Sequence, residues 1–338
     1  MYSYYNPSSK RTAFELADIG IQFCKLRKCK AFAASLSVSK EALVACLKSA
    51  TYKTFSIPKA AGGERMIETP DEKLKAIQRS LQDLLQAVYY HIRPRGVHGG
   101  IVAASDEERP RNILSNARAH AGKKFFLHLD LKNFFHAISE EKVRALFESQ
   151  AFNFPKKLVD LVCKTVCYRG RLPMGTSTSG IVANLCLLNL DAALQRIATQ
   201  HRITYTRFID DLTFSCKTKM PNKVMEDICN LIEAEGLVIN EEKIKIMTLD
   251  EQPEITGLIL VGNQVDIKDS YLKQLEEDLK LYQKIMKNSQ HHIKIFTPQV
   301  MQHFKRHVQG QLNFVRYIKG KNDLTYLRMM KRIRGVYA

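Results

Sequence analysis

Apolar positions recur every three to four residues across 11–50, with Phe14, Leu16, Ala17 and Ile19 followed by Leu36, Leu43, Val44 and Leu47. That spacing predicts helices. At Tyr52 the period changes. Lys53-Thr54-Phe55-Ser56-Ile57-Pro58 and Arg65-Met66-Ile67-Glu68-Thr69-Pro70 alternate as strands do, and Ala60-Ala61-Gly62-Gly63 between them predicts a hairpin. Glu72 to Tyr90 returns to helical spacing, with Leu74, Ile77, Leu81, Leu84, Leu85 and Val88 on one stripe. Residues 91–111 mix glycine, proline and both charge signs, and read as loop.

Phe125 to Phe135 is apolar on both faces, the pattern of a strand buried within a sheet. A period of two sets Phe126, His128 and Asp130 on one face and Leu127, Leu129 and Leu131 on the other. His128 reads as a packed or hydrogen-bonded histidine rather than a ligand. Helical spacing resumes over 139–168 behind the cap sequence Ser139-Glu140-Glu141. The small-residue loop 168–180 leads into a helix over 181–191, and Tyr205 to Cys216 predicts strand, turn and strand. A helix over 222–235, a short strand over 236–240 and a hairpin at Gly262-Asn263 follow. The remainder predicts three helices: Tyr271 to Lys287, Pro298 to Lys319 and Asp323 to Tyr337.

With 338 residues, 45% hydrophobic and 25% charged, the chain is expected to be globular, with two or three structural units rather than a disordered or fibrous form. Lys plus Arg number 52 against 34 Asp plus Glu, a net charge of +18. The default partner for such an excess is a polyanion, bound in a salt-dependent way. Eight cysteines scattered through apolar surroundings suit a reducing compartment, and Cys24/Cys29 and Cys163/Cys167 lack the matching pairs a zinc site needs. No run reaches ~18 apolar residues. A cytoplasmic protein with no membrane partner is expected.

The candidate chemistry centres on Asp210-Asp211, adjacent carboxylates amid β-branched and aromatic residues. Unpaired anions this close repel, so a divalent cation with oxygen ligands, Mg²⁺ or Mn²⁺, is one reading. A solvated hairpin tip is the other. Lys59 and Arg65 form a basic pair flanking a glycine-bearing tip, suited to closing over a triphosphate or simply to sitting in water. The loop before residue 181 offers free N–H groups to phosphate, or serves as a connector. Basic residues interleaved with aromatics over 270–338, Arg316, Arg328 and Arg332 among them, suit a nucleic-acid backbone.

Asp130 followed by Phe134-Phe135, Leu172-Pro173-Met174-Gly175, and Phe208-Ile209-Asp210-Asp211 resemble, in order, motifs A, B and C of reverse transcriptases. Asn116-Ala117-Arg118-Ala119-His120 is similar to the Asn-Ala-x-x-His element of the retron enzymes, and Ile255-Thr256-Gly257 to their Val-Thr-Gly triplet. The resemblance implies an α+β right-hand polymerase of fingers, palm and thumb, with an antiparallel palm sheet and a helical C-terminal thumb. Its divisions would be a helical N-terminal extension (1–50), fingers (51–125), palm (126–262) and basic thumb (263–338). Asp130 and Asp210 would bridge two Mg²⁺ ions, with Mn²⁺ as the alternative, the Leu131 carbonyl an added ligand and Asp211 nearby.

Further roles follow from the same resemblance. Lys59 and Arg65 would hold the triphosphate of a dNTP, Phe135 would be the steric gate against a ribose 2′-hydroxyl, and Met174 and Gly175 would lie near the sugar. Lys243 would give pyrophosphate a proton. Asn116, His120, Ile255, Thr256, Gly257, Arg316, Arg328 and Arg332 would face nucleic acid. The implied partners are a structured non-coding RNA, the DNA copied from it, and a separate effector protein in a bacterial anti-phage system, the oligomeric state being left open. Two positions depart from the family: Phe208 stands for the usual tyrosine and Met174 for the usual glutamine. Another bacterial reverse transcriptase, of group II intron or diversity-generating type, remains an alternative, as does a silent scaffold that binds nucleic acid without catalysis.

Overall fold

The computed structural model describes residues 9–58, 62–287 and 297–334. Three helices come first, α1 (Ala13–Cys24), α2 (Cys29–Ser35) and α3 (Lys40–Ser49). Thr12 and Glu15 cap α1 reciprocally, and the Ser39 hydroxyl accepts from the Ala42 N–H at the head of α3. Strands β1 (Tyr52–Pro58) and β2 (Glu64–Pro70) form the expected antiparallel hairpin, with Phe55 opposite Ile67 and Ile57 opposite Arg65. Lys59 lies outside the described residues.

Helix α4 (Glu72–Ile92) starts where the Asp71 carboxylate accepts from the Lys73 and Leu74 N–H groups. Its stripe of Leu74, Ile77, Leu81, Leu85 and Val88 is buried as the period predicts, each fully buried leucine contributing roughly 1.5–3 kcal/mol. α1 crosses α4 so closely at Gly20 that a Cβ there would lie 2.9 Å from the Ala87 carbonyl oxygen. The short α5 (Ile113–Ala119), capped by Asn112, precedes strand β3 (Phe125–Lys132). Helices α6 (Glu140–Glu148), α7 (Lys156–Val166), α8 (Ser179–Cys186) and α9 (Leu188–Gln200) lead to β4 (Thr204–Phe208) and β5 (Asp211–Cys216). The single helix expected over 181–191 is instead α8 and α9, which meet at 55° at Leu187. That break lets Asn184 near the end of α8 and Asp191 in the first turn of α9 reach the same guanidinium, that of Arg207.

Then come α10 (Asn222–Ala234), β6 (Val238–Ile239), β7 (Lys245–Thr248), β8 (Glu254–Ile255), β9 (Leu258–Val261), β10 (Gln264–Ile267), α11 (Asp269–Lys287), and the helices Pro298–Lys319 and Leu324–Arg334. The central sheet is antiparallel in the order β4-β5-β3-β6, with β7 also pairing with β3. The two faces of β3 go to different cores. Leu127, Leu129 and Leu131 pack with α4, α6 to α10 and the α2–α3 region, whereas Phe126 joins Ile255, Leu258, Leu260 and the C-terminal helices. This second core also takes Ile113, Leu114 and Ala117 of α5. The architecture is α+β, a central antiparallel sheet flanked by helices and followed by a helical C-terminal part. Among the described residues no single helix is long and apolar enough to cross a membrane.

Candidate active site

Strand register brings the carboxylates together. β3 and β5 pair so that Asp130 stands directly opposite Asp211, and β4 and β5 pair up to Phe208 opposite Asp211. Ile209 and Asp210 therefore make a two-residue turn, the bend that the sequence predicts, and the Asp210 carbonyl accepts from the Leu131 N–H at 3.1 Å. Ile209 has φ 60°, left-handed backbone that a β-branched residue rarely adopts.

Two cations attend this group. Lys243 Nζ lies 2.9 Å from Asp130 Oδ2, with Asn240 Nδ2 at 3.4 Å from the same oxygen. The Arg65 charge acts on Asp210. They do not neutralise the cluster. Burial, then the facing Asp210 and Asp130 charges, push the Asp211 carboxyl up to about 7 against the pull of Lys243. Asp210 is raised too, chiefly by burial and by Asp130. His128 hydrogen-bonds Thr213 Oγ1 at 3.3 Å and stands 3.7 Å from Asp211 Oδ1, the hydrogen-bonded histidine anticipated from sequence. Among the described residues no three acidic, histidine or cysteine side chains already stand in ligating geometry. The donor chemistry nevertheless fits a divalent cation: the atoms are all oxygen, and their surplus negative charge is what a cation would relieve.

A second cluster links the β1–β2 hairpin to the loops beside Phe135. Glu68 is fully buried, and its carboxylate accepts two bonds from Arg171, at 2.8 and 3.0 Å, with His136 Nε2 3.2 Å away. Burial works against the Glu68 charge, but Arg171 and His136 outweigh it and hold the carboxyl below its usual range. The Glu68 N–H also donates to the Met174 carbonyl at 2.6 Å. Gly175 has φ 117°, and a Cβ there would meet Ile67 Cγ2 at 2.6 Å, so the loop needs glycine on both counts. Phe135 sits half-buried in a short 3₁₀ turn, Phe134–Ala137, its ring against Phe134. Glu68, Arg171 and His136 escaped the sequence reading. The available signal was a carboxylate within an otherwise alternating strand.

The residues expected to face nucleic acid divide into two groups. Asn116, His120 and Ile255 are buried, which corrects the expectation of side-chain contact with a strand. His120 bridges Ser215 Oγ at 2.6 Å and Thr206 Oγ1 at 2.7 Å, tying α5 to β4 and β5, and burial drives its pKa down to about 3. Asn116 Nδ2 is 3.4 Å from Thr256 Oγ1, which also donates to the Ile113 carbonyl. Thr256 is half-buried and Gly257 exposed in the turn between β8 and β9. Arg316 is exposed on the Pro298–Lys319 helix, on a face shared with Lys305, Arg306, Gln309 and Asn313. Arg328 is exposed and paired with Glu276 at 2.8 Å, and Arg332 is half-buried.

The sequence profile of the family described as Reverse transcriptase (RNA-dependent DNA polymerase) matches residues 57–261. The chain is 27% identical over 332 residues to the Retron Ec86 reverse transcriptase of Escherichia coli, covering 95% of this chain and 94% of that protein. It is 31% identical over 236 residues to the Retron Mx162 reverse transcriptase of Myxococcus xanthus, covering 62% of this chain and 47% of that one. It is 28% identical over 225 residues to the Retron Ec83 reverse transcriptase of Escherichia coli, covering 63% and 69% respectively.

Proposed function

This chain belongs to the reverse transcriptase family, and from that premise we propose that it is a retron RNA-directed DNA polymerase. It copies part of a cognate structured RNA into multicopy single-stranded DNA, priming from an RNA 2′-hydroxyl. The observation that carries this reading is Asp130 opposite Asp211 across β3 and β5, with Asp210 in the adjoining turn. The relatives' shared description as retron enzymes supports the finer part. An anti-phage role, with a separate effector protein, belongs to the same proposal.

Asp130, Asp210 and the Leu131 carbonyl would hold the divalent ions, two Mg²⁺ or Mn²⁺, with Asp211 beside them. When bound, such ions ease deprotonation of the primer hydroxyl and offset charge on the triphosphate and on departing pyrophosphate. The chain does the positioning. Arg65, with Lys59, holds the triphosphate, and the Phe135 ring excludes a 2′-hydroxyl. The loop at Met174 and Gly175, held by Glu68, borders the sugar. Lys243 Nζ, already at the site, supplies a proton to the leaving pyrophosphate. Arg316 and its basic neighbours hold the template-primer backbone, so binding weakens with salt.

The test is labelled dNTP incorporation by the chain co-expressed with its native RNA, with and without Mg²⁺, alongside Asp210→Asn. Mg²⁺-dependent DNA synthesis that the variant loses is the expected result, and synthesis unchanged in the variant overturns the reading. Co-purified nucleic acid that changes mobility only after debranching tests the retron assignment separately.

A further inference from the structure

We propose that Arg207 is a positioning residue that clamps the strained turn carrying Asp210, and that Asp191 and Asn184 aim it. The Arg207 side chain is fully buried, between the sheet and the α8–α9 bend. Its Nε donates to Asp191 Oδ1 at 2.8 Å and its Nη2 to Asp191 Oδ2 at 2.6 Å, a bidentate pair that fixes the guanidinium plane. Nη1 then donates both to Asn184 Oδ1 and to the Ile209 carbonyl, each at 2.9 Å. The Ile209 carbonyl belongs to the peptide that joins Ile209 to Asp210.

The residue clamped is the one that needs it. Left-handed backbone at an isoleucine is unfavourable by roughly 1–3 kcal/mol and persists only where surroundings over-determine it. The surroundings here are tight. A Cβ at Gly99 would lie 2.8 Å from the Ile209 amide nitrogen, and one at Gly100 would lie 2.7 Å from Ile209 Cδ1. The same Asn184 amide donates to the Gly99 carbonyl at 3.0 Å, so one side chain holds both the clamp and the Gly99-Gly100 segment packed on the turn. The backbone of Arg207 is anchored as well, its N–H to the Gly96 carbonyl and its own carbonyl to the His98 N–H. Because α8 begins at the 172–180 loop, the clamp ties that loop to the carboxylate turn. A buried guanidinium needs an acceptor for each N–H, and here the two that Nη1 finds are the Asn184 amide and the carbonyl of the strained turn.

The inference rests on the polymerase reading, and the experiment separates the two. Arg207→Lys keeps a charge for Asp191 but, as a single-point donor, cannot hold the carboxylate, Asn184 and the Ile209 carbonyl together. Asn184→Ser keeps the ion pair and removes the amide that fixes Nη1 on its second side. Tyr205→Phe removes only the Tyr205 hydroxyl's bond to Asp191, so it perturbs the buried network without touching the clamp. Two quantities are read: Mn²⁺ affinity, from the EPR signal of the free ion titrated with the chain on its template-primer, and single-nucleotide kcat and KM at saturating Mn²⁺.

Arg207→Lys is expected to weaken Mn²⁺ binding and lower kcat by about 10-fold or more each, with the dNTP KM nearly unchanged. Asn184→Ser should move both in the same direction by about 3-fold, and it decides the matter if Arg207→Lys does not fold. Tyr205→Phe should lower the melting temperature and leave both readouts at wild-type values. Folded Arg207→Lys or Asn184→Ser with wild-type Mn²⁺ affinity and kcat overturns the positioning role, as does an equal effect from Tyr205→Phe. A wild type that incorporates no nucleotide overturns the polymerase reading itself.

Discussion

Asp130 faces Asp211 as a direct cross-strand pair, two like charges at neighbouring ladder positions with Asp210 one residue away. Like charges directly opposite each other destabilise a sheet. The pair therefore costs the fold stability wherever no cation offsets its charge.

Because the folded Asp211 carboxyl is raised to about 7, the folded state holds its proton more firmly than the unfolded chain, whose aspartates titrate near 3.9. The penalty is absent below pH about 4, develops as pH rises and is complete above about 7. In EDTA, Asp211→Asn should thus melt above wild type at pH 8, by a few degrees, and much closer to it at pH 5. Mg²⁺ should narrow the gap at pH 8 by stabilising wild type. A gap that does not change with pH would contradict the repulsion.

His120 gives the opposite pH dependence. Its folded pKa of about 3 lies below the ordinary 6.5, so stability is whole above about 6.5 and lost as pH falls toward 3. At pH 5 the loss from this one residue is about 2 kcal/mol. His98, lowered to about 3 by burial and then by Arg111 and Arg93, adds to it. Urea midpoints measured from pH 7.5 to 5 should fall steeply, and less so in His120→Asn.

Glu68→Gln removes the charge that gathers Arg171 and His136 beside Phe135. The fold should lose about 1–3 kcal/mol. Because the Met174 loop hangs on the same strand, the dNTP KM should rise about 10-fold while kcat changes less, as steady-state incorporation kinetics would show.

Phe135→Ala removes the ring that the proposed function sets against a ribose 2′-hydroxyl. Discrimination between dNTP and rNTP should fall by about 10-fold to 100-fold in competition assays, with DNA synthesis retained. Unchanged discrimination would remove Phe135 from the gate.

Much of the fold was legible because period and composition act locally. The α4 stripe and the split faces of β3 came from spacing, the Gly262-Asn263 hairpin and the Asp210 turn from residue type. The 181–191 segment shows the limit. Its apolar run has no glycine or proline to mark the break at Leu187, and the bend becomes intelligible only once Arg207 draws Asn184 and Asp191 to one point. Asn116 and His120 were misjudged for a related reason. A short polar motif looks alike whether it faces a ligand or fills the interior, and here Ser215 and Thr206, 95 and 86 residues away, take the histidine.

The sequence by itself determined which residues carry charge and chemistry, which segments become helix or strand, and which face of each strand is apolar. The tertiary structure alone decided what meets what. Glu68 meets Arg171 across 103 residues, Lys243 meets Asp130 across 113, and Arg207 Nη1 meets both Asn184 and the Ile209 carbonyl. Hydrophobic period is set by neighbours along the chain, whereas the partner of a buried charge is set by which elements packing brings within hydrogen-bond reach, and no local pattern encodes that distance.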